Sequence, residues 1–295
     1  MDQSKTIKVQ IINAFVANNK GGNPAGVVLN ADELSIRNKL EIAQKVGLSE
    51  TAFVSSSKTD AFKLDFYTPT KQIAHCGHAT VATFSYLKQQ GLLKGNTSSK
   101  ETIDGSRGIR IIGENAFMEQ RAPKYASLEN YKAAILKSVG LDTADLLPNT
   151  SIQLVNTGNS FVLIPVKTTK ALKNLKPNLA LIKKISIELD AVGYYAFTPT
   201  SSNVESDATT RMFAPSYAIS EEAATGMAAG PLASYLYDVM SIDKRRFMIQ
   251  QGNFMDSPSP SLIIVDLNIE KGKITQLMAG GKGVVKEELI ITLDQ

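Results

Sequence analysis

Both histidines of the chain and its single cysteine fall in one short run, His75-Cys76-Gly77-His78. The run continues as Ala79-Thr80 into a small-residue, apolar stretch that reads as a buried helix from Ala79 to Gln90. A glycine at such a junction lets the backbone approach a ligand closely. The N–H groups and positive dipole end of a helix start suit a carboxylate or phosphate. His78, directly after Gly77, can pass a proton or a hydrogen bond near neutral pH. His75 is read as structural. Cys76 can be a nucleophile or an acid/base thiol with its pKa lowered by the helix end, but is read first as a small buried residue. The two histidines lie across a turn without carboxylates at fitting spacing, so no metal site is read.

Three acids and two amides belong with this run. Glu50 follows the helix stop Gly47 and sits between the apolar Leu48 and Phe53. It can be a solvated charge, a partner of Ser49, or a proton carrier whose carboxyl is pushed up by apolar neighbours. Glu221 and Glu222 precede a second Gly-led apolar helix, Thr225-Gly226-Met227-Ala228. Glu221 reads as favourable charge at that helix start, and Glu222 as a group aimed at a ligand beside Gly226. Asn23 and Asn159 are turn formers or substrate contacts.

The elements that must position these residues form two similar series. Val9 to Phe15, Val27 to Leu29, Ala52 to Val54 and Lys63 to Tyr67 read as strands. Ser35 caps a helix with apolar Ile36, Leu40, Ala43 and Val46, ended by Gly47. Glu101 to Gln120 reads as two or three antiparallel strands punctuated by Gly105, Gly108 and Gly113. In the second half Ile152 to Val155, Phe161 to Ile164, Tyr194 to Phe197, Arg246 to Gln250 and Ser261 to Leu267 read as strands, with helices at Leu179 to Ile187 and Ala228 to Met240. Gly22-Asn23 matches Gly158-Asn159, Ala52-Phe53 matches Ala196-Phe197, and Phe66-Tyr67-Thr68-Pro69 matches Met212-Phe213-Ala214-Pro215. Cys76-Gly77-His78-Ala79 matches Thr225-Gly226-Met227-Ala228 in the same order. An internal duplication follows, and with it an α+β fold of two lobes, each a curved, mostly antiparallel sheet around a central helix. The two Gly-led helix starts are expected to face each other across a cleft. The repeat partner of Glu50 is read as Tyr194, so only one lobe carries an acid there. The lobes are placed at 1–122, with a returning segment 283–295, and at 123–282.

Composition narrows the function classes. Hydrophobic residues at 43% and charged residues at 20% give an ordinary globular balance. The net charge of +4 is small and unclustered, which disfavours nucleic acid and leaves a small anionic metabolite compatible. No apolar run is long enough to span a membrane, and the polar lead from Met1 to Lys8 does not read as a signal peptide. One cysteine makes no intramolecular disulfide, and a cytoplasmic setting is expected. No dinucleotide fingerprint, phosphate loop or Gly-x-Ser-x-Gly elbow is present, so no cofactor is expected.

Six motifs carry a resemblance over nearly the whole chain: Gly22-Asn23-Pro24-Ala25-Gly26-Val27, Leu48-Ser49-Glu50-Thr51-Ala52-Phe53, Phe66-Tyr67-Thr68-Pro69, Cys76-Gly77-His78-Ala79-Thr80, Arg211-Met212-Phe213-Ala214-Pro215 and Thr225-Gly226. Together they resemble the PhzF-like family of phenazine biosynthesis, related to diaminopimelate epimerase. The run from Gly280 to Leu293 resembles the family's end, where the tail returns to the first lobe. The resemblance implies a two-lobed homodimer and cofactor-free isomerase chemistry in which Glu50 moves a proton between carbons. It implies that His78, the acid at Glu222 and the amides of Gly77 and Gly226 surround the substrate. The chain departs from the family at Glu221-Glu222-Ala223, where the family reads Glu-Asp-Pro, and at Met227, where it reads Ser. Two other readings stand beside the isomerase: an amino-acid racemase or epimerase, whose two-base chemistry wants a group on each face of the carbon, and a non-catalytic binding homologue.

Overall fold

The computed structural model describes residues 6–200 and 205–293. The first five residues of the polar lead and the last two of the returning tail lie outside that range. The chain divides into two compact units, Met1–Glu119 with Gly280–Gln295, and Gln120–Ala279. One strand, Asn115–Arg121, runs through the first boundary, and another, Lys273–Thr292, through the second.

The first unit starts with β1 (Thr6–Ala14), which pairs antiparallel with β2 (Asn23–Val28). Helix α1 (Ile36–Val46) has the Ser35 cap and the Gly47 stop expected from the sequence: Ser35 Oγ accepts from the Asn38 amide, and Gly47 is left-handed at φ 70°. The helix returns the chain to β3 (Thr51–Ser55), parallel to β2. β4 (Phe62–Tyr67) pairs antiparallel with β3 and with the short β5 (Gln72–Ile73). Helix α2 (Gly77–Gln89) then leads to β6 (Thr97–Thr102), parallel to β4, and to the antiparallel β7 (Gly105–Ile112) and β8 (Asn115–Arg121). Gly105 and Gly113 take the positive φ of turns, but Gly108 lies inside β7, where a Cβ would meet Glu119 Oε2 at 2.8 Å. α2 is buried from Gly77 through Ser85 and again at Leu87, and it packs on β1, β2 and β3. A helix without a polar face has no other stable place.

The second unit repeats that order. β9 (Lys124–Ser127) and helix α3 (Lys132–Val139) come first. β10 (Gln153–Asn156) pairs antiparallel with β9 and β11 (Ser160–Pro165). Helices α4 (Thr169–Lys173) and α5 (Leu179–Glu188) return the chain to β12 (Gly193–Pro199), parallel to β11. β13 (Ala208–Ala214) pairs antiparallel with β12 and β14 (Ile219–Glu222). The buried helix α6 (Gly226–Asp238) leads to β15 (Arg246–Gln251), parallel to β13, and then to the antiparallel β16 (Ser261–Glu270). Each parallel pair is bridged by helix, the connection that parallel strands require.

The last strand, β17 (Lys273–Thr292), has no counterpart among the strands read from the sequence, and it carries Gly280 and Gly283 in its interior. They mark close approach. A Cβ on Gly280 would lie 2.3 Å from the Ala116 carbonyl oxygen, and one on Gly283 2.6 Å from Ser85 Cβ. From Gly283 to Thr292, β17 pairs antiparallel with β1.

Strand register corrects one alignment. Thr51 pairs with Tyr67, and Tyr194 with Phe213. Tyr67 and Phe213 are equivalent in the repeat, so Tyr194 corresponds to Thr51 and the partner of Glu50 is Gly193. A Cβ on Gly193 would lie 2.2 Å from the Phe213 carbonyl oxygen, so the second unit has no room for a side chain at this station.

Candidate active site

Glu50 is delivered by the junction between α1 and β3. Gly47 reverses the chain, and the Gly26 amide donates to the Glu50 carbonyl at 3.1 Å. Gly26 is obligatory: a Cβ there would sit 2.8 Å from Thr51 Oγ1. Cys76 is the N-cap of α2 but supplies no side-chain cap. Thr80 Oγ1 donates back to the Cys76 carbonyl at 2.5 Å. Gly283 N–H donates to Ser85 Oγ at 3.0 Å, and Gln89 Nε2 donates to the Gly283 carbonyl at 2.9 Å, which seats α2 on β17.

These constraints bring Glu50, Cys76 and His78 together, all buried. His78 Nε2 lies 3.2 Å from Glu50 Oε2. The approach is an ion-pair contact out of line with a hydrogen bond, since Oε2 is buried without a hydrogen-bond partner. Cys76 Sγ lies 3.5 Å from His78 Nδ1. The Glu50 carboxyl is not pushed up, as expected from its apolar neighbours, but held below its ordinary value. Burial alone would raise it; the His78 charge, contact with His78 and a hydrogen bond from Ser49 together outweigh burial. Burial pushes the Cys76 thiol up, against the helix-end effect weighed from the sequence.

His75 stays outside this group. It receives Lys100 Nζ at 3.0 Å on Nδ1, and burial, then the charges of Lys100 and Arg107, hold it well below the usual histidine range. Lys100 is fully buried, donates to Thr80 Oγ1 at 2.6 Å and stands 4.8 Å over the Phe66 ring. The absence of a metal site was read from local spacing. Glu50 arrives from a distant strand, and the Glu50, Cys76 and His78 ligand atoms lie within 4.8 Å of one another.

In the second unit, Glu222 ends β14 and accepts from the Thr225 hydroxyl. Glu221 does not act at the helix start: it forms a two-pronged pair with Arg211, at 2.9 and 2.7 Å. Gly226 and Met227 open α6, and Asn159 Nδ2 donates to Met227 Sδ at 3.4 Å. Asn23, by contrast, is a buried residue of β2 paired with Ala14.

Two organisers escaped the sequence reading. Gln251 accepts the Thr225 amide (3.1 Å) and the Tyr195 hydroxyl (2.9 Å) on Oε1. Its amide group donates to the Glu222 carbonyl (2.7 Å) and to Thr225 Oγ1 (3.0 Å). Its signal was available: it follows Phe247 and Ile249 on the buried face of β15. Gln120 donates to the Gly226 carbonyl at 2.9 Å and accepts from Thr157 at 2.8 Å.

The model of the phenazine biosynthesis-like protein family matches residues 12–288. An uncharacterized isomerase of Clostridium acetobutylicum is 33% identical over 294 residues, covering 95% of this chain and 97% of that relative. A trans-2,3-dihydro-3-hydroxyanthranilate isomerase of Pseudomonas chlororaphis is 28% identical over 282 residues, covering 93% and 95%. The crystal structure of a Bacillus anthracis PhzF-family protein superposes with a TM-score of 0.87 at 28% identity, covering 98% of this chain and all of that one. With its α+β architecture, its duplicated strand–helix order and a family match running from β1 into β17, the chain belongs to the phenazine biosynthesis-like protein family and is an isomerase of that family.

Proposed function

We propose a cofactor-independent isomerase that moves a proton on a small carboxylate-bearing substrate, with Glu50 as general acid/base. One observation carries the reading: the Glu50 carboxylate is buried, its Oε2 lacks a hydrogen-bond donor, and it lies 3.2 Å from the His78 ring at the start of α2. Held below its ordinary value, Glu50 enters the cycle as a base. It takes a proton from a substrate carbon, the C–H electron pair passes into the adjacent unsaturated system, and the protonated Glu50 returns the proton to another carbon. No electron leaves the substrate. His78 stabilises the carboxylate, and the Gly77 and His78 amides at the helix start suit the substrate's anionic group. Glu222 and the start of α6 at Gly226 are proposed to polarise and bind substrate, with Asn23, Asn159 and Met227 as contacts. A homodimer is also proposed, to be checked by sedimentation.

The test is turnover in D2O, beginning with trans-2,3-dihydro-3-hydroxyanthranilate, which names the Pseudomonas relative's activity. Deuterium at one carbon with migration of a double bond is expected. Glu50→Gln keeps the shape and should lower the rate by at least the 10²–10⁴-fold, roughly, that such a group contributes, with ligand affinity largely kept. Retention of most activity by that variant would remove Glu50 from the mechanism.

A further inference from the structure

Glu50, Cys76 and His78 bring together one oxygen, one sulfur and one nitrogen donor, all buried and all within 4.8 Å. His78 Nε2 is 3.2 Å from Glu50 Oε2 and 4.0 Å from Cys76 Sγ. A tetrahedral zinc ion with a Zn–S bond of about 2.3 Å and Zn–N and Zn–O bonds of about 2.0 Å holds its ligand atoms about 3.3–3.6 Å apart. The nitrogen–oxygen spacing already fits. The sulfur–nitrogen spacing closes by about half an ångström if the imidazole turns about its Cβ–Cγ bond. A second feature points the same way: Glu50 Oε2 is buried and accepts no hydrogen bond, and a cation would satisfy it. Mixed thiolate, imidazole and carboxylate donors suit zinc and cobalt rather than magnesium or calcium.

We propose that Glu50, Cys76 and His78 form a three-ligand site for Zn2+ or a similar borderline-soft divalent ion, and that the bound ion stops proton transfer. On binding, the Cys76 S–H bond breaks, its proton goes to solvent, and the sulfur lone pair bonds the ion. The carboxylate binds as it stands, the imidazole binds through Nε2 after the proton it shares with the Glu50 ion pair passes to solvent, and no redox change occurs. The two negative ligands balance the double positive charge, so the buried unit is neutral. Ion binding stands on this donor geometry alone; its inhibitory effect rests on the reading of Glu50 as the proton carrier.

The test uses untagged full-length protein and Co2+, followed by displacement with Zn2+. One equivalent of Co2+ should give a near-ultraviolet thiolate-to-cobalt band and the visible bands of a tetrahedral ion, with release of protons from Cys76 and His78. Cys76→Ser should erase the thiolate band and lower Zn2+ affinity more than about 100-fold, beyond the 10–100-fold typical of a residue that only supports a ligand. His75→Gln should leave the affinity unchanged. Unchanged affinity in Cys76→Ser, or its loss in His75→Gln, overturns the site. Cadmium-113 NMR of the unsubstituted protein needs no variant, and a shift without sulfur ligation also overturns it. Zinc-loaded protein should not exchange deuterium into substrate until a chelator removes the ion. If it binds zinc through Cys76 and still turns over, the role given to Glu50 fails while the site stands. If Glu50→Gln is inactive and no ion binds, the site fails while that role stands.

Discussion

Gly283→Ala tests how the last strand seats the helix that carries His78. The new Cβ would lie 2.6 Å from Ser85 Cβ, 2.7 Å from Ser85 Oγ and 3.4 Å from Ile12 Cγ2. Carbon atoms settle at about 3.5–4.0 Å, so β17 or α2 must move by about 1 Å. Overpacking of a filled core costs about 1–3 kcal/mol, and the strained Gly283 N–H bond to Ser85 adds up to about 1.5 kcal/mol. A loss of about 2–3 kcal/mol is expected, measured by urea unfolding followed by circular dichroism. Ser85→Gly vacates both crowded atoms and by itself costs up to about 1 kcal/mol in helix propensity. The double variant should therefore be more stable than the sum of the singles by at least about 1 kcal/mol. Turnover should fall with Gly283→Ala, because a misplacement of about 1 Å can cost about 10²-fold, and should recover in the double variant. An unchanged unfolding midpoint, or no coupling between the two sites, would refute the packing argument.

Lys39 and Asp65 form a buried pair at 2.6 Å. Lys39→Met strands the carboxylate and should cost about 3–5 kcal/mol in thermal unfolding, while Lys39→Met with Asp65→Leu should recover most of it. Burial holds the Lys100 ammonium well below its ordinary value of 10.5, so between that depressed value and 10.5 the unfolded chain binds more protons than the folded one. Stability from this group therefore rises with pH across the window, and the advantage of Lys100→Met over wild type in unfolding temperature should shrink from pH 7 towards 10. Met227→Ser removes the acceptor of the Asn159 amide and an apolar surface. It should weaken a ligand with an apolar group there by about 1–3 kcal/mol in calorimetry, and strengthen one that presents a hydroxyl.

The periodic elements were legible because local chemistry sets them. Ser35 and Gly47 bracket α1 by capping, and the small-residue starts of α2 and α6, without a charged face, announce burial. Helix α3 went unread although Ile135, Leu136 and Val139 line one face and Gly140 stops it. β17 was obscured because glycine has two uses, turning a chain and admitting a close neighbour; only the atoms around Gly280 and Gly283 tell them apart. His78 and Glu50 were readable as reactive types in motifs. Their mutual distance was not, because it depends on the β2–β3 pairing that fixes the Glu50 backbone. The direction of the Glu50 shift was misread for the same reason: Leu48 and Phe53 are visible in sequence, whereas His78 becomes a neighbour only in the fold. Lys100 had no signal, since the inward positions Lys100 and Thr102 of β6 are both polar.

The corrected register gives the duplication a chemical consequence. Equivalent stations in the two units have exchanged their side chains while keeping their connections. Gln72 donates to Asp65 at 3.3 Å, and at the matching positions Arg211 donates to Glu221. The strand-to-strand link persists, with the charge on the inner strand reversed. At the helix starts the exchange is not neutral. Cys76 and His78 correspond to Thr225 and Met227, so the second unit has neither a thiol nor a ring that could trade protons there. At the Glu50 station it has Gly193, where the Phe213 carbonyl leaves no space for even a methyl group. Substitution alone could not restore an acid at that point; β12 and β13 would have to separate. A symmetric two-base reaction, with like groups on both faces of a carbon, therefore lacks its second base at the equivalent position. A single carboxylate that both removes and returns the proton needs no such partner, and this asymmetry favours a proton shuttle over a racemase.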